Sequence, residues 1–233
     1  QPKVDMHNGH IIGGEALVRW QNDKEMIYPD QFIPVLEKNG YVIDVDNFIW
    51  NKVCACIKMM EDEGIEPVPI SVNVSRMHVY QEKFTENLKD MAGKYGIDPK
   101  YIPLEITESA FTKEEGSLFK KVQSLQGYGF KFSMDDFGSG YSSLGMLKSE
   151  RVDEVKIDKT FVDDIATDKG KVLLGNVIRM INELGIDMIA EGVETKEQAD
   201  FLKENGCMYA QGYYYYKPMP IEEFAKLLEN SAR

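Results

Sequence analysis

The chain has 233 residues, 43% hydrophobic and 28% charged, with a formal net charge of −12 at pH 7. That balance describes a sizeable α/β domain with a real core, and the acidic excess excludes recognition of a DNA or RNA duplex through a basic face. No apolar run approaches the ~20 residues of a membrane-spanning helix and no signal peptide is present, so no membrane contact by this domain is expected.

In chain order, Gln1-Pro2-Lys3-Val4 reads as the middle of a strand, as in a fragment excised from a larger protein. Asn8-Gly9 separates Pro2–Met6 from Ile11–Trp20, a hairpin signal. Asp30 is placed to cap a short helix carrying Phe32, Val35 and Leu36, which ends near Asn39-Gly40. A longer helix runs from about Val45 to Glu63, with Phe48, Ile49, Val53, Ile57 and Met60 in its apolar stripe. Strand Pro67–Val74, helix Glu82–Tyr95, strand Ile102–Thr107, helix Glu114–Gln126 and strand Phe130–Met134 follow. After a glycine-rich loop come strand Val152–Ile157, helix Lys171–Leu184, strand Met188–Ala190, helix Lys196–Glu204, strand Met208–Gly212 and helix Ile221–Glu229. With no linker or repeat between them, residues 1–233 read as one domain of alternating strands and helices, which implies a parallel sheet.

The strands themselves choose between an open sheet and a barrel. An open sheet covered by helices on both faces needs strands that are apolar throughout. Here Ser71 and Asn73 alternate with Ile70, Val72 and Val74; Glu105 and Thr107 with Leu104 and Ile106; Lys131, Ser133 and Asp135 with Phe130, Phe132 and Met134; and Glu154, Lys156 and Asp158 with Val155 and Ile157. The apolar set belongs under the helices, so the polar set faces an enclosed lumen. The expected fold is a TIM-like (β/α)8 barrel with an irregular, partly antiparallel first strand, its chemistry at the C-terminal mouth.

At that mouth fall Glu15, Asn73, Glu105, Asp135, Asp136, Lys156, Glu191 and Gln211. Carboxylates crowded into one dry pocket repel each other unless a cation joins them, and oxygen-only donors favour Mg²⁺ or Mn²⁺ over zinc or copper. Asp135 and Asp136 close a strand just before Gly138-Ser139-Gly140, glycines that allow a tight turn with positive φ. Taken singly, each residue has a duller role: Glu15 an exposed hairpin acid, Glu108 and Glu194 charges at helix starts, Lys156 a partner of Asp158. His7, His10 and His78 lack zinc-ligand spacing, and Cys54, Cys56 and Cys207 form no disulfide framework, which suits a reducing, cytoplasmic setting. Asp136-Phe137-Gly138 lacks the other parts of a kinase, and Gly138-Ser139-Gly140 lacks the ending of a phosphate-binding loop.

Glu15-Ala16-Leu17-Val18-Arg19-Trp20, Ser71-Val72-Asn73-Val74-Ser75, Leu104-Glu105-Ile106-Thr107-Glu108, Asp135-Asp136-Phe137-Gly138, Lys156-Ile157-Asp158, Glu191-Gly192-Val193-Glu194 and Gln211-Gly212 together resemble the EAL domain family, in the same order and over nearly the whole chain. The resemblance implies metal-dependent hydrolysis of cyclic di-GMP, a bacterial second messenger, to linear pGpG with Mg²⁺ or Mn²⁺, two ions being expected. It implies that Glu15, Asn73, Glu105, Asp135, Asp136 and Glu191 hold metal, that Lys156 orients the attacking water supported by Asp158, and that Glu191 acts as general base. Leu17, Arg19 and Gln211 would meet the substrate, while Glu108 and Glu194 would anchor loops. It further implies a homodimer, and an upstream GGDEF or sensor domain through which a full-length protein could be tethered to a membrane. Similar domains that bind the dinucleotide without cleaving it, or serve as dimerising signalling modules, lack one or more metal ligands; here every one of those positions is filled.

Overall fold

A computed structural model of the chain describes residues 1–23, 25–108, 115–138, 147 and 152–231. β1 (Pro2–Asp5) and β2 (Ile11–Ala16) form the opening hairpin, and β3 (Trp20–Gln21) pairs with β4 (Met26–Ile27) in a small ribbon outside the main sheet. α1 (Pro29–Asn39) and α2 (Val42–Asp62) lead to β5 (Ile70–Asn73), and α3 (Arg76–Val79) and α4 (Phe84–Tyr95) lead to β6 (Leu104–Thr107). α5 (Glu115–Gln126) precedes β7 (Phe132–Phe137); β8 (Glu154–Ile157) is followed by α6 (Lys159–Asp163) and α7 (Asp168–Glu183). β9 (Asp187–Ala190), α8 (Lys196–Glu204), β10 (Tyr209–Ala210) and α9 (Ile221–Ser231) complete the described chain.

The barrel closes in the order β1-β10-β9-β8-β7-β6-β5-β2, with β1 antiparallel to both of its neighbours and the other pairs parallel. The expected irregular, partly antiparallel beginning is therefore present. The apolar set of each strand is buried in one continuous core with the helices: Ile70 and Val72, Leu104 and Ile106, Phe132 and Met134, Val155 and Ile157, Met188 and Ala190. The three cysteines are free and buried within that core. Among the described residues no helix is long and apolar enough to cross a membrane.

Several predicted boundaries move, each for a local reason. β5 and β6 begin after Pro69 and Pro103, because proline has no N–H to give the ladder. Asp30 does not cap α1: Tyr28 holds the N-cap and Pro29 takes the first helical position, which suits its fixed φ. α7 starts at Asp168, earlier than Lys171, because the Thr167 hydroxyl accepts from Gly170 N at 2.9 Å. β2 ends at Ala16, and Trp20 leaves the barrel for the ribbon. Glu114 and the expected loop from Ser139 to Leu144 lie outside the described residues.

One glycine ties two strand ends together. A Cβ on Gly212 would lie 2.2 Å from Val193 O, so only glycine allows the segments after β9 and β10 to touch. Gln211 O accepts from Val193 N at 3.2 Å across the same contact. Glu191 and Gln211 thereby open onto the same mouth.

Candidate active site

The polar faces of the strands meet inside the barrel, as their period-two spacing requires. Lys156, 1% exposed, rises from β8 into the centre of the mouth. Its Nζ lies 2.7 Å from Glu191 Oε1, 2.8 Å from Glu105 Oε2, 3.0 Å from Asp135 Oδ1 and 3.4 Å from Glu15 Oε2. Asn73 Nδ2 donates to Glu15 Oε1 at 3.2 Å, and Gln211 Nε2 donates to Glu15 Oε2 at 2.6 Å. Acids from β2, β6, β7 and the end of β9 thus converge on one ammonium group, and amides from β5 and from just past β10 hold one of them, Glu15.

Burial works to strip the proton from Lys156, but the carboxylates of Glu105, Glu15, Glu191 and Asp135 hold its pKa well above the ordinary lysine value. Burial likewise opposes ionisation of Glu105; the nearby Lys156 and Lys3 overcome it and keep that carboxyl below its usual range. Glu191 behaves the other way. Burial, with Asp135 and Glu15 close by and only Lys156 opposing, pushes it up to about 8. Glu15 is raised by burial and by Glu105, and Asp136 by burial and then by Asp135 and Asp158. The mouth carries more anions than Lys156 can neutralise.

Side chains of neighbouring strand residues ordinarily point to opposite faces, so Asp135 and Asp136 need a device to serve one site. The register between β7 and β8 shifts between Met134 and Phe137, a bulge, and Asp136 takes the left-handed φ of 57°. Asp136 N also donates to Asp135 Oδ1 at 3.0 Å. Just beyond, Gly138 has φ 96°, and its N–H donates to the buried Glu108 Oε2 at 3.3 Å. Glu108 therefore meets the backbone just beyond the two acids.

On the other flank, α2 clamps the backbone that presents Asn73. Trp50 Nε1 donates to Asn73 O at 3.0 Å, and Asp46 Oδ2 accepts from Ser75 N at 3.0 Å. Burial pushes Asp46 up to about 6 against the hydrogen bonds from Ser75. An acid with a raised folded pKa contributes stability that is complete below its ordinary value and is lost as pH rises through the folded one. Asp46→Asn, which keeps an acceptor for Ser75, is therefore expected to exceed the parent already at pH 5 and by more at pH 8, the gap widening between them by on the order of 1 kcal/mol. Thermal melts at the two pH values check this; an equal difference at both removes the assigned cause.

The remaining expected site residues are spread around the rim. Leu17 and Arg19 line a cavity of about 570 Å³ beside Glu15, shared with Tyr28, Tyr213 and Lys217. Arg19 Nη1 donates to Val18 O at 2.8 Å, and its guanidinium stands 5.5 Å from the centre of the Tyr28 ring. Asp158 does not reach Lys156: it caps α6, accepting from Thr160 N at 2.9 Å, because it stands past the strand end where the helix turns it away. Glu194 pairs with Lys159 at 3.0 Å, and its backbone N–H is held by Gln198 Oε1 at 2.8 Å.

Two residues at this centre escape the reading of the strands. Gln1 Oε1 accepts from Gln211 Nε2 at 3.0 Å, and Lys3 pairs with Glu105 at 3.1 Å. Extending the period-two rule to Lys3 on β1 would have placed it in the lumen; nothing local marks Gln1.

The oxygen donors fit a hard divalent cation, because carboxylates outnumber ammonium groups in the mouth. Gln211 Oε1, buried and without a hydrogen-bond partner among the described residues, is a further oxygen facing unmet demand. The acids nevertheless reach for Lys156, so that among the described residues no three of them are already gathered as a ligand cluster.

A family model described as "EAL domain" matches residues 1–218. Oxygen sensor protein DosP of Escherichia coli (strain K12) is 35% identical over 225 residues, which cover 96% of this chain and 28% of DosP. Probable cyclic di-GMP phosphodiesterase PdeB of the same organism is 36% identical over 235 residues, 98% of this chain and 44% of PdeB. The chain spans less than half the length of either curated relative. The solved structure of PaMucR phosphodiesterase in complex with c-di-GMP matches with a TM-score of 0.91 at 32% identity, covering 96% of this chain and 92% of that one. Barrel order, polar lumen and these matches agree, and the chain belongs to the EAL domain family.

Proposed function

We propose that this chain is a phosphodiesterase that hydrolyses cyclic di-GMP to linear pGpG with Mg²⁺ or Mn²⁺, in bacterial second-messenger signalling. The observation that carries the reading is the convergence of Glu15, Glu105, Asp135 and Glu191 on Lys156 at the barrel mouth. The names of PdeB and PaMucR support the choice of substrate.

Glu15, Asn73, Glu105, Asp135, Asp136 and Glu191 would hold the divalent ions. When bound, such ions supply Lewis acidity toward the scissile phosphodiester and its attacking water. The protein's own groups do the rest. Lys156 keeps the surrounding carboxylates oriented and polarises the water. Glu191, 2.7 Å from Lys156 at the same mouth, is placed to accept a proton from that water. Arg19 meets a substrate phosphate, Leu17 and Gln211 line the pocket, and Glu108 fixes the loop that follows the paired acids.

Incubation with cyclic di-GMP and Mn²⁺ or Mg²⁺ is expected to yield pGpG by chromatography. Chelation with EDTA is expected to stop turnover, and added Mn²⁺ to restore it. Tight binding of the dinucleotide without cleavage, with metal present, would make the domain a receptor instead.

A further inference from the structure

Beneath the acids of the mouth the barrel holds a second lysine that the mechanism above does not use. Lys3 is 4% exposed, and its side chain runs from β1 across the lumen. Its Nζ lies 3.1 Å from Glu105 Oε1 and 3.4 Å from Glu154 Oε1. The opposite oxygen of Glu105, Oε2, faces Lys156 at 2.8 Å. Glu105 is thus held at each oxygen by a different lysine, one from the floor and one from the mouth. Glu154 is steadied in turn by the Ser133 hydroxyl, which donates to the same Oε1 at 2.9 Å.

Filling alone does not explain this arrangement. Barrel floors are ordinarily packed with branched apolar side chains. A buried ion pair costs several kcal/mol of desolvation per charge and is often no more stable than an apolar replacement of similar volume. The geometry gives the charge a use. A glutamate has three rotatable bonds; beside Lys156 and the Ser71 hydroxyl, Lys3 on the far oxygen adds the restraint from the floor that fixes the plane of its carboxylate.

We infer that Lys3 is a positioning residue for Glu105: from the barrel floor it fixes the plane in which that carboxylate is presented to Lys156 and to the divalent cation. This rests on the metal-dependent reading of the same mouth. Groups that hold metal ligands in place from behind change metal affinity or activity by about 10- to 100-fold when removed.

The test is the pair Lys3→Met with Glu154→Gln, which removes one cation and one anion from the floor and so leaves the net charge of the site unchanged. Mn²⁺ binding is measured without substrate by electron paramagnetic resonance of the free ion, on protein shown to be folded by circular dichroism. Mn²⁺ affinity is expected to fall about tenfold, with kcat lower at saturating Mn²⁺ and KM for cyclic di-GMP unchanged. A folded double variant with parental Mn²⁺ affinity and kcat overturns the inference and leaves the phosphodiesterase reading standing. A parent protein that binds no Mn²⁺ overturns both. If the double variant does not fold, Lys3→Gln is measured in the same way, with a smaller loss of Mn²⁺ affinity expected and an unchanged affinity decisive against the inference.

Discussion

Replacing Lys156 with methionine is expected to lower the stability of the metal-free protein by about 3 kcal/mol or more and to cut cyclic di-GMP turnover at least about 100-fold. The ammonium group is the shared partner of four buried or half-buried carboxylates within 3.4 Å. Removing one member of a buried ion pair leaves the other's charge uncompensated, which costs far more than an exposed pair ever contributes. The carboxylates can relieve the strain by taking up protons, so the loss should shrink toward pH 5, where Glu191 and Glu15, both raised, are protonated most readily. Mn²⁺ should restore more stability to the variant than to the parent, because the freed acids can all turn to the ion. Calorimetry at pH 5 and pH 8, with and without Mn²⁺, separates these effects. A variant that melts with the parent at pH 8 would remove Lys156 from the centre of the site.

Glu15→Gln is expected to behave oppositely in stability while failing just as completely in turnover. Burial and the neighbouring Glu105 raise the pKa of Glu15, so its charged form is disfavoured in the folded, metal-free state. The sign follows: stability from such an acid is lost as pH rises, and a neutral replacement should melt no lower than the parent at pH 8. The new amide can be accommodated locally. Gln211 now donates to Glu15 Oε2 and has an unpartnered Oε1, so turning its own amide gives the introduced NH₂ an acceptor. Turnover should nonetheless fall by about 10²- to 10³-fold, the scale on which one aimed electrostatic group contributes to a transition state. Function is then held at a cost in stability, the usual exchange at an active site. Near-normal pGpG production by Glu15→Gln would withdraw the metal-ligand assignment.

The two variants differ because the same mouth contains one cation in demand and several anions in excess. That imbalance is legible from residue types alone: counting in twos puts Glu105 and Asp135 on lumen faces, and Glu15, Asp136 and Glu191 fall at strand ends. The helices were legible where their caps are local. α8 matched from Lys196 to Glu204 because Thr195 and Gln198 form a reciprocal capping box. The apolar runs start at Pro67 and Ile102, ahead of the strands at Ile70 and Leu104, since the ladder, not the apolar run, decides where pairing begins. The resemblance sets Asp158 in support of Lys156, but the helix that begins beside it takes its carboxylate as a cap.

The order of amino acids by itself determined the strand–helix alternation, the polar face of each strand and hence a barrel with an acidic mouth, because side-chain direction along a strand is a local property that repeats every two residues. Only the closed tertiary structure decided which groups touch. The bulge that turns Asp136, the meeting of four acids on Lys156 and the hold of Lys3 on Glu105 depend on register between strands distant in the chain, and register is set by closure of the whole barrel rather than by any segment of it.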